Sequence, residues 1–379
     1  MKYNKKHLAF RRYWNRARTL GHMLAIKAFR KPRYPFYVNL VINSRCNLKC
    51  AYCFGSYSHR KTPDWAYEDL VRLIDDLYER GTRYILIQGG EPLLHKDLGK
   101  IFRYIDDKGI VTALVTNGQL PDRIREIPEI ALLDNICFSL DGNREGNDRI
   151  RGEGSFDKVV ESIRAVKEVH GIPIRVNSTI TKYTVNDIDF MAEFMRENRI
   201  EWGINFLFKG DERLGEEDLA PEDEEIIRYQ EKFIDYIKRG YPIFSTTKIL
   251  RYTLNWPVPY TRKFLGREEA LRLMGKKAIE CQYGHYEIVI DEDGRLYPCQ
   301  GMQGMFDAKN LKEVGFDEAF KHLETKPCYT CYLVSLINTS AMINWDLNVI
   351  GETVAGTFRS RLKKPRSRNR PAAAKASSP

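Results

Sequence analysis

Between about residue 36 and residue 208 the chain alternates short apolar, β-branched runs with longer stretches of helical period, and this alternation constrains the fold more than any other feature. Six runs read as strands: Phe36–Ile42, Tyr84–Ile87, Ile110–Val115, Asn135–Leu140, Ile174–Ile180 and Trp202–Phe208. The intervening stretches, such as Trp65–Tyr78 and Phe156–Val169, place apolar residues at helical intervals. Repeated βα units of this kind imply an α/β fold with a parallel sheet. Six units are too few to close an eight-stranded barrel, so a partial, open (β/α)6 barrel is expected over residues 34–210. Ligands on such sheets gather at the carboxyl ends of the strands.

The loop after the first run holds Cys46, Cys50 and Cys53 in the spacing Cys-x-x-x-Cys-x-x-Cys. A cubane iron–sulfur cluster normally takes four thiolates. Three from one tight loop leave one iron with an open position where chemistry can occur. A structural zinc or iron–sulfur knuckle is the alternative, since short Cys-x-x-Cys pairs also bind zinc.

With Tyr52 just before the third cysteine, the loop resembles the signature of the radical S-adenosylmethionine (radical SAM) superfamily. The resemblance implies a 4Fe-4S cluster on Cys46, Cys50 and Cys53 whose open iron chelates SAM, with Tyr52 flanking the adenine. Further matches follow in order along the chain. Gly89-Gly90-Glu91-Pro92 closes the second strand, where glycine lets backbone approach a ligand closely, and resembles the family motif that contacts the SAM amino group. Thr116 and Asn117 end the third strand, Ser139 and Asp141 the fourth, and Asn177 lies on the fifth. The resemblance makes Thr116, Asn117, Ser139 and Asn177 candidate SAM contacts, while ordinary strand-end turns and caps are the alternative for each polar residue. Asn147 to Gly152 reads as a loop introducing a helix near Ser155.

A second set, Cys281, Cys299, Cys328 and Cys331, supplies the four thiolates that one closed cluster or one tetrahedral zinc requires. Between the first two, His285 to Pro298 reads as a β-hairpin around an Asp-Gly turn. This resembles the short "twitch" form of the SPASM extension, a small α+β unit expected over residues 281–357, and implies a second, auxiliary 4Fe-4S cluster. With four ligands that cluster is closed to substrate and acts in electron transfer. The eighth cysteine, Cys137, sits in an apolar run and reads as a small buried hydrophobe.

Charge divides the chain. Residues 1–33 carry eleven Lys/Arg and residues 359–379 carry eight, neither with an acid, so the net +10 less these nineteen leaves −9 between them. Residues 358–379 read as a basic, disordered tail, and residues 211–280 as an acidic linker followed by helices. In residues 1–33, Phe10, Tyr13, Trp14, Ala17, Leu20, Leu24 and Ala28 recur at helical spacing among basic residues. Such a helix packs its stripe on the barrel or lies on an anionic membrane surface. Tyr252 to Tyr260, rich in aromatics and proline, forms either a substrate wall or packing between the two units.

Cysteines in metal spacing, without a signal-peptide pattern, point to a cytoplasmic location, with peripheral contact at the inner membrane face as the accompanying expectation. No apolar run reaches the roughly 18 residues that span a bilayer. Nucleic acid is not an expected partner, because no motif supports base readout. The resemblance implies an enzyme that reductively cleaves SAM, abstracts a substrate hydrogen and oxidises or otherwise modifies the substrate, fed by a donor such as flavodoxin or ferredoxin. Its substrate is a small molecule, a lipid-linked molecule or a peptide; peptide maturation is one enzymatic alternative, and a non-catalytic metal-binding scaffold is the alternative from another class.

Overall fold

The computed structural model describes residues 8, 10–15, 17–18, 21–22, 34–53, 55–209 and 218–362. Six parallel strands follow in chain order: β1 (Tyr37–Val41), β2 (Tyr84–Gln88), β3 (Val111–Thr116), β4 (Asn135–Ser139), β5 (Ile174–Ile180) and β6 (Glu201–Phe206). Each pairs with the next, and a helix covers each crossover. Helix Tyr67–Arg80 shows how the sequence builds these units: Leu70, Leu73, Ile74 and Leu77 fall on one buried stripe, and Gly81 ends the helix at φ 115°. Strand residues alternate between two environments. Val38, Leu40, Ile85, Ile87, Leu114, Ile136, Phe138, Val176 and Ile204 are buried in the shared apolar cluster with the helices. Their neighbours Tyr37, Asn39, Gln88, Cys137, Ser139, Arg175 and Asn177 occupy the opposite, polar face. Cys137 is buried there, as expected of a small hydrophobe.

The sheet is larger than the six expected strands. β7 (Phe264–Leu265) lies outside it, but β8 (Glu287–Ile290) pairs in parallel with β1 from Tyr37 opposite Glu287 to Leu40 opposite Ile290. β9 (Leu296–Tyr297) then returns antiparallel to β8 around Gly294 at φ 95°. The expected hairpin forms, and its first strand continues the barrel sheet, giving the order β6-β5-β4-β3-β2-β1-β8-β9. Arg60, just past the cysteine loop, clips this junction by ion pairs to Asp291 at 2.9 Å and Glu292 at 2.8 Å.

Other departures from the sequence reading are local. Strands β4 and β6 stop at Ser139 and Phe206, short of the expected Leu140 and Phe208. Asn147 to Arg151 is helical, not a loop: helix Arg144–Arg151 starts where the Asn143 side chain accepts from the Gly146 amide at 3.0 Å and stops at Gly152, φ 109°. Tyr252, Trp256 and Tyr260 are buried in the shared apolar cluster and line neither cysteine cavity; Trp256 and Tyr260 stack edge-on against Tyr332 at 5.7 and 5.1 Å. Helix Leu347–Leu362 enters the expected basic tail, whose remainder, 363–379, lies outside the described residues, as do 211–217 of the acidic linker and Leu20, Leu24 and Ala28 of the N-terminal stripe.

Candidate active site

At the carboxyl ends of the barrel strands lies a cavity of about 300 Å³. Cys46, Cys50, Tyr52, Cys53, Gly89, Gly90, Thr116, Asn117, Ser139 and Asn177 all line it. Of the expected SAM contacts, Glu91 and Pro92 do not; both are buried behind the wall.

The glycine turn after β2 is zipped against the root of the cysteine loop. Gly90 donates its amide to the Asn43 carbonyl at 2.9 Å, Glu91 donates to the Arg45 carbonyl at 2.8 Å, and the Asn43 amide group donates to the Glu91 carbonyl at 2.9 Å. A Cβ on Gly90 would stand 2.4 Å from the carbonyl oxygens of Ser44 and Arg45, a contact only glycine avoids. Glu91 then works from behind: its carboxylate accepts from the Leu93 amide, the Thr116 hydroxyl and the Asn117 amide at 3.0, 2.8 and 2.7 Å. Burial outweighs these donors and raises its pKa to about 7. Asn117, so placed, donates to Asn47 at 2.8 Å inside the cysteine loop.

A second tie holds the other end of that loop. The Tyr52 hydroxyl and Arg151 Nε both donate to Asp141 Oδ2 at 2.7 Å, the Thr179 amide donates to Asp141 Oδ1 at 2.9 Å, and Arg151 also reaches the Tyr52 oxygen. Arg151 Nη1 lies 3.9 Å from Cys50 Sγ. Arg151 lines the cavity and was missed in the sequence because its polar run reads as loop; a buried arginine opposite a strand-end aspartate is a tertiary signal. Gln88, Asn205, Gln300, Gln303 and Ser335 also line the wall without having been singled out. Two of them adjoin motifs that were, Gln88 before Gly89 and Gln300 after Cys299.

The donor set suits a cluster. Burial pushes the Cys46 thiol up to about 11 and raises that of Cys50 as well, so these thiols ionise only where bound cationic metal repays the lost solvation. Among the described residues no three His, Cys, Asp or Glu side chains gather closely enough for a single metal ion. A cubane of four irons spreads its ligating sulfurs more widely than one tetrahedral ion does.

Cys281, Cys299, Cys328 and Cys331 line one smaller cavity. Cys331 lies on β10 (Thr330–Cys331), which pairs antiparallel with β7, and the Cys281 amide donates to the Tyr329 carbonyl at 2.8 Å. Lys326 Nζ donates to the Cys281 carbonyl at 3.2 Å. Burial raises the thiol of Cys328 to about 11 and those of Cys299 and Cys331 as well. Phe208, Gly301, Leu333 and Leu336 border both cavities, so a single wall of side chains separates the two cysteine sets' spaces.

Residues 40–195 match the profile of the radical SAM superfamily. The chain is similar to the AdoMet-dependent heme synthase of Methanosarcina barkeri, 26% identical over 75% of this chain and 81% of that protein. It is also similar to the antilisterial bacteriocin subtilosin biosynthesis protein AlbA of Bacillus subtilis, 25% identical over 76% of this chain and 59% of AlbA. It spans about half the length of several other curated relatives. Among solved structures, Streptococcus suis SuiB bound to precursor peptide SuiA shares the fold, with a TM-score of 0.58 at 20% identity over 81% of this chain and 70% of SuiB.

Proposed function

Because this chain belongs to the radical SAM superfamily, we propose that it cleaves S-adenosylmethionine reductively in the larger cavity and oxidises or cross-links a peptide substrate there. Cys46, Cys50 and Cys53 would hold the SAM-binding cluster, and Cys281, Cys299, Cys328 and Cys331 the auxiliary one. Bound there, the first cluster would supply the electron for reductive cleavage of SAM, and the second would serve as an acceptor for the electron that the oxidised substrate gives up. The chain's own residues do the positioning. Gly89 and Gly90 bring backbone up to the SAM site, Glu91 fixes Thr116 and Asn117 on its rim, and the Tyr52–Asp141–Arg151 tie holds the cysteine loop closed over it.

The charge of the wall carries the choice of substrate. Among the described side chains lining the larger cavity, Arg151 alone is charged, and its guanidinium is committed to Asp141. Among the uncharged lining residues, the amides and hydroxyls of Gln88, Asn205, Gln300, Gln303 and Ser335 stand beside apolar side chains such as Phe206, Leu207, Phe208 and Leu333. Such a wall matches the donors and acceptors of a peptide segment. A polycarboxylate would have to shed its hydration without cationic partners, at a cost of several kcal/mol per charge. The relation to AlbA supports the same reading. The relation to a heme synthase favours a porphyrin substrate as the second reading, against which the neutral wall stands.

The test is anaerobic turnover with dithionite or reduced flavodoxin. Peptides encoded beside the gene should stimulate 5′-deoxyadenosine release and lose hydrogen by mass spectrometry. Turnover of iron-coproporphyrin III, with no peptide response, would replace this reading with the second.

A further inference from the structure

The described residues of the N-terminal segment, 8, 10–15, 17–18 and 21–22, are helical, and the helix meets the barrel with its polar side. Arg11 pairs with Asp106, Arg12 Nη2 donates to the Ala131 carbonyl at 3.5 Å, and Asn15 is buried. Of the apolar residues described there, Leu8 is the one that packs, against Ala131 and Leu132. The aromatic stripe faces the other way: Phe10, Tyr13 and Trp14 are 67%, 69% and 56% exposed. Ala17 and Gly21, also exposed, share their arc of the helix. An amphipathic helix stabilised by packing alone would turn this stripe inward. Three aromatics outward within five residues form a face in want of an occupant.

Charge identifies the occupant. Residues 1–33 carry eleven Lys/Arg and no Asp or Glu, so a second copy of this segment would be repelled while an anionic surface would be attracted. The aromatics form a continuous arc on a helix rather than lining a groove, which suits insertion among headgroups and not the stacking of splayed bases. We propose that this helix docks the enzyme on an anionic lipid bilayer, with Phe10, Tyr13 and Trp14 at headgroup depth and the net positive charge of residues 1–33 drawing it to the surface. The contact is peripheral in kind, because no described helix is long and apolar enough to cross a membrane.

The test uses the full chain with reconstituted clusters. It should sediment with phosphatidylcholine vesicles containing phosphatidylglycerol and not with phosphatidylcholine alone, and added salt should weaken the binding. The triple variant Phe10→Ser, Tyr13→Ser, Trp14→Ser keeps every charge, including the eight of residues 359–379, and should bind about tenfold more weakly. Its iron content and unfolding midpoint, measured alongside, should match the parent, so that lost sedimentation reports the face and not the fold. Equal sedimentation of variant and parent would assign the binding to charge alone and overturn the proposal. Single-stranded RNA binding without vesicle binding would overturn it in favour of a nucleic-acid surface.

Discussion

Glu91 accepts from the Thr116 hydroxyl at 2.8 Å, tying the turn after β2 to the end of β3 through a carboxylate that never reaches the cavity. The site's shape therefore depends on a residue placed behind it. Glu91→Ala would leave the Leu93, Thr116 and Asn117 donors without their acceptor, each costing about 1–3 kcal/mol when buried. Urea unfolding should show a loss of at least about 3 kcal/mol, and SAM binding by the folded fraction should weaken.

Gly90→Ala tests the contact between turn and loop. The added Cβ would collide with the backbone oxygens of Ser44 and Arg45, at the root of the SAM-cluster loop, while Gly90 does not line the cavity of the second cysteine set. On the two-cluster reading, iron should fall from about eight to about four per chain, with the remaining EPR signal indifferent to SAM.

The complementary variants Cys299→Ala and Cys331→Ala should also leave about four irons per chain, but the surviving signal should respond to SAM. Zinc in the parent protein at this position, measured by metal analysis, would refute the auxiliary cluster.

Asp141→Asn removes the charge facing Arg151 while keeping the shape. Both members of the pair are buried, with side-chain exposures of 0% and 7%, so the stranded guanidinium should cost about 3–5 kcal/mol. Tyr52→Phe removes a hydroxyl that donates to the same carboxylate and accepts from Arg151 but leaves the ion pair intact, and should cost less, about 1–2 kcal/mol. Denaturation midpoints of the two variants should therefore differ clearly.

Glu287 should make stability fall as pH rises from about 4.5 to about 8. Burial raises its carboxyl from 4.5 to about 8, against the Asn39 amide that donates to it at 3.0 Å. The folded protein thus holds a proton that the unfolded chain has released, and this contribution, complete below pH 4.5, is lost as pH rises through about 8. Glu287→Gln should flatten the slope of unfolding free energy between about pH 4.5 and 8, as measured by chemical denaturation at stepped pH.

The six barrel strands were legible because alternation of apolar runs and helical period is a local signal, and Ile174–Ile180 matches its expected bounds to the residue. The glycine turn was legible because only glycine tolerates so close an approach to the Asn43–Arg45 backbone. What stayed hidden was set by distant partners. Helix Arg144–Arg151 is polar in sequence and is anchored by the burial of Arg151 against Asp141. The N-terminal periodicity told which residues share a face and not which face meets the barrel, since that depends on Asp106 and the Ala131 carbonyl. The pairing of β8 with β1 joins residues such as Asn39 and Glu287, 248 positions apart, across which no pattern of spacing carries information.

That last seam orders the making of the protein. β1, carrying the cysteine loop at its end, leaves the ribosome well before its second neighbour, β8. Until Glu287–Ile290 arrives, one edge of β1 stands open, a template for strands of other nascent chains. A ribosome stalled just before that point would present a barrel with a live edge and five of its eight cysteines. Cluster delivery timed after chain release would meet a sheet already sealed, with both cysteine sets in place.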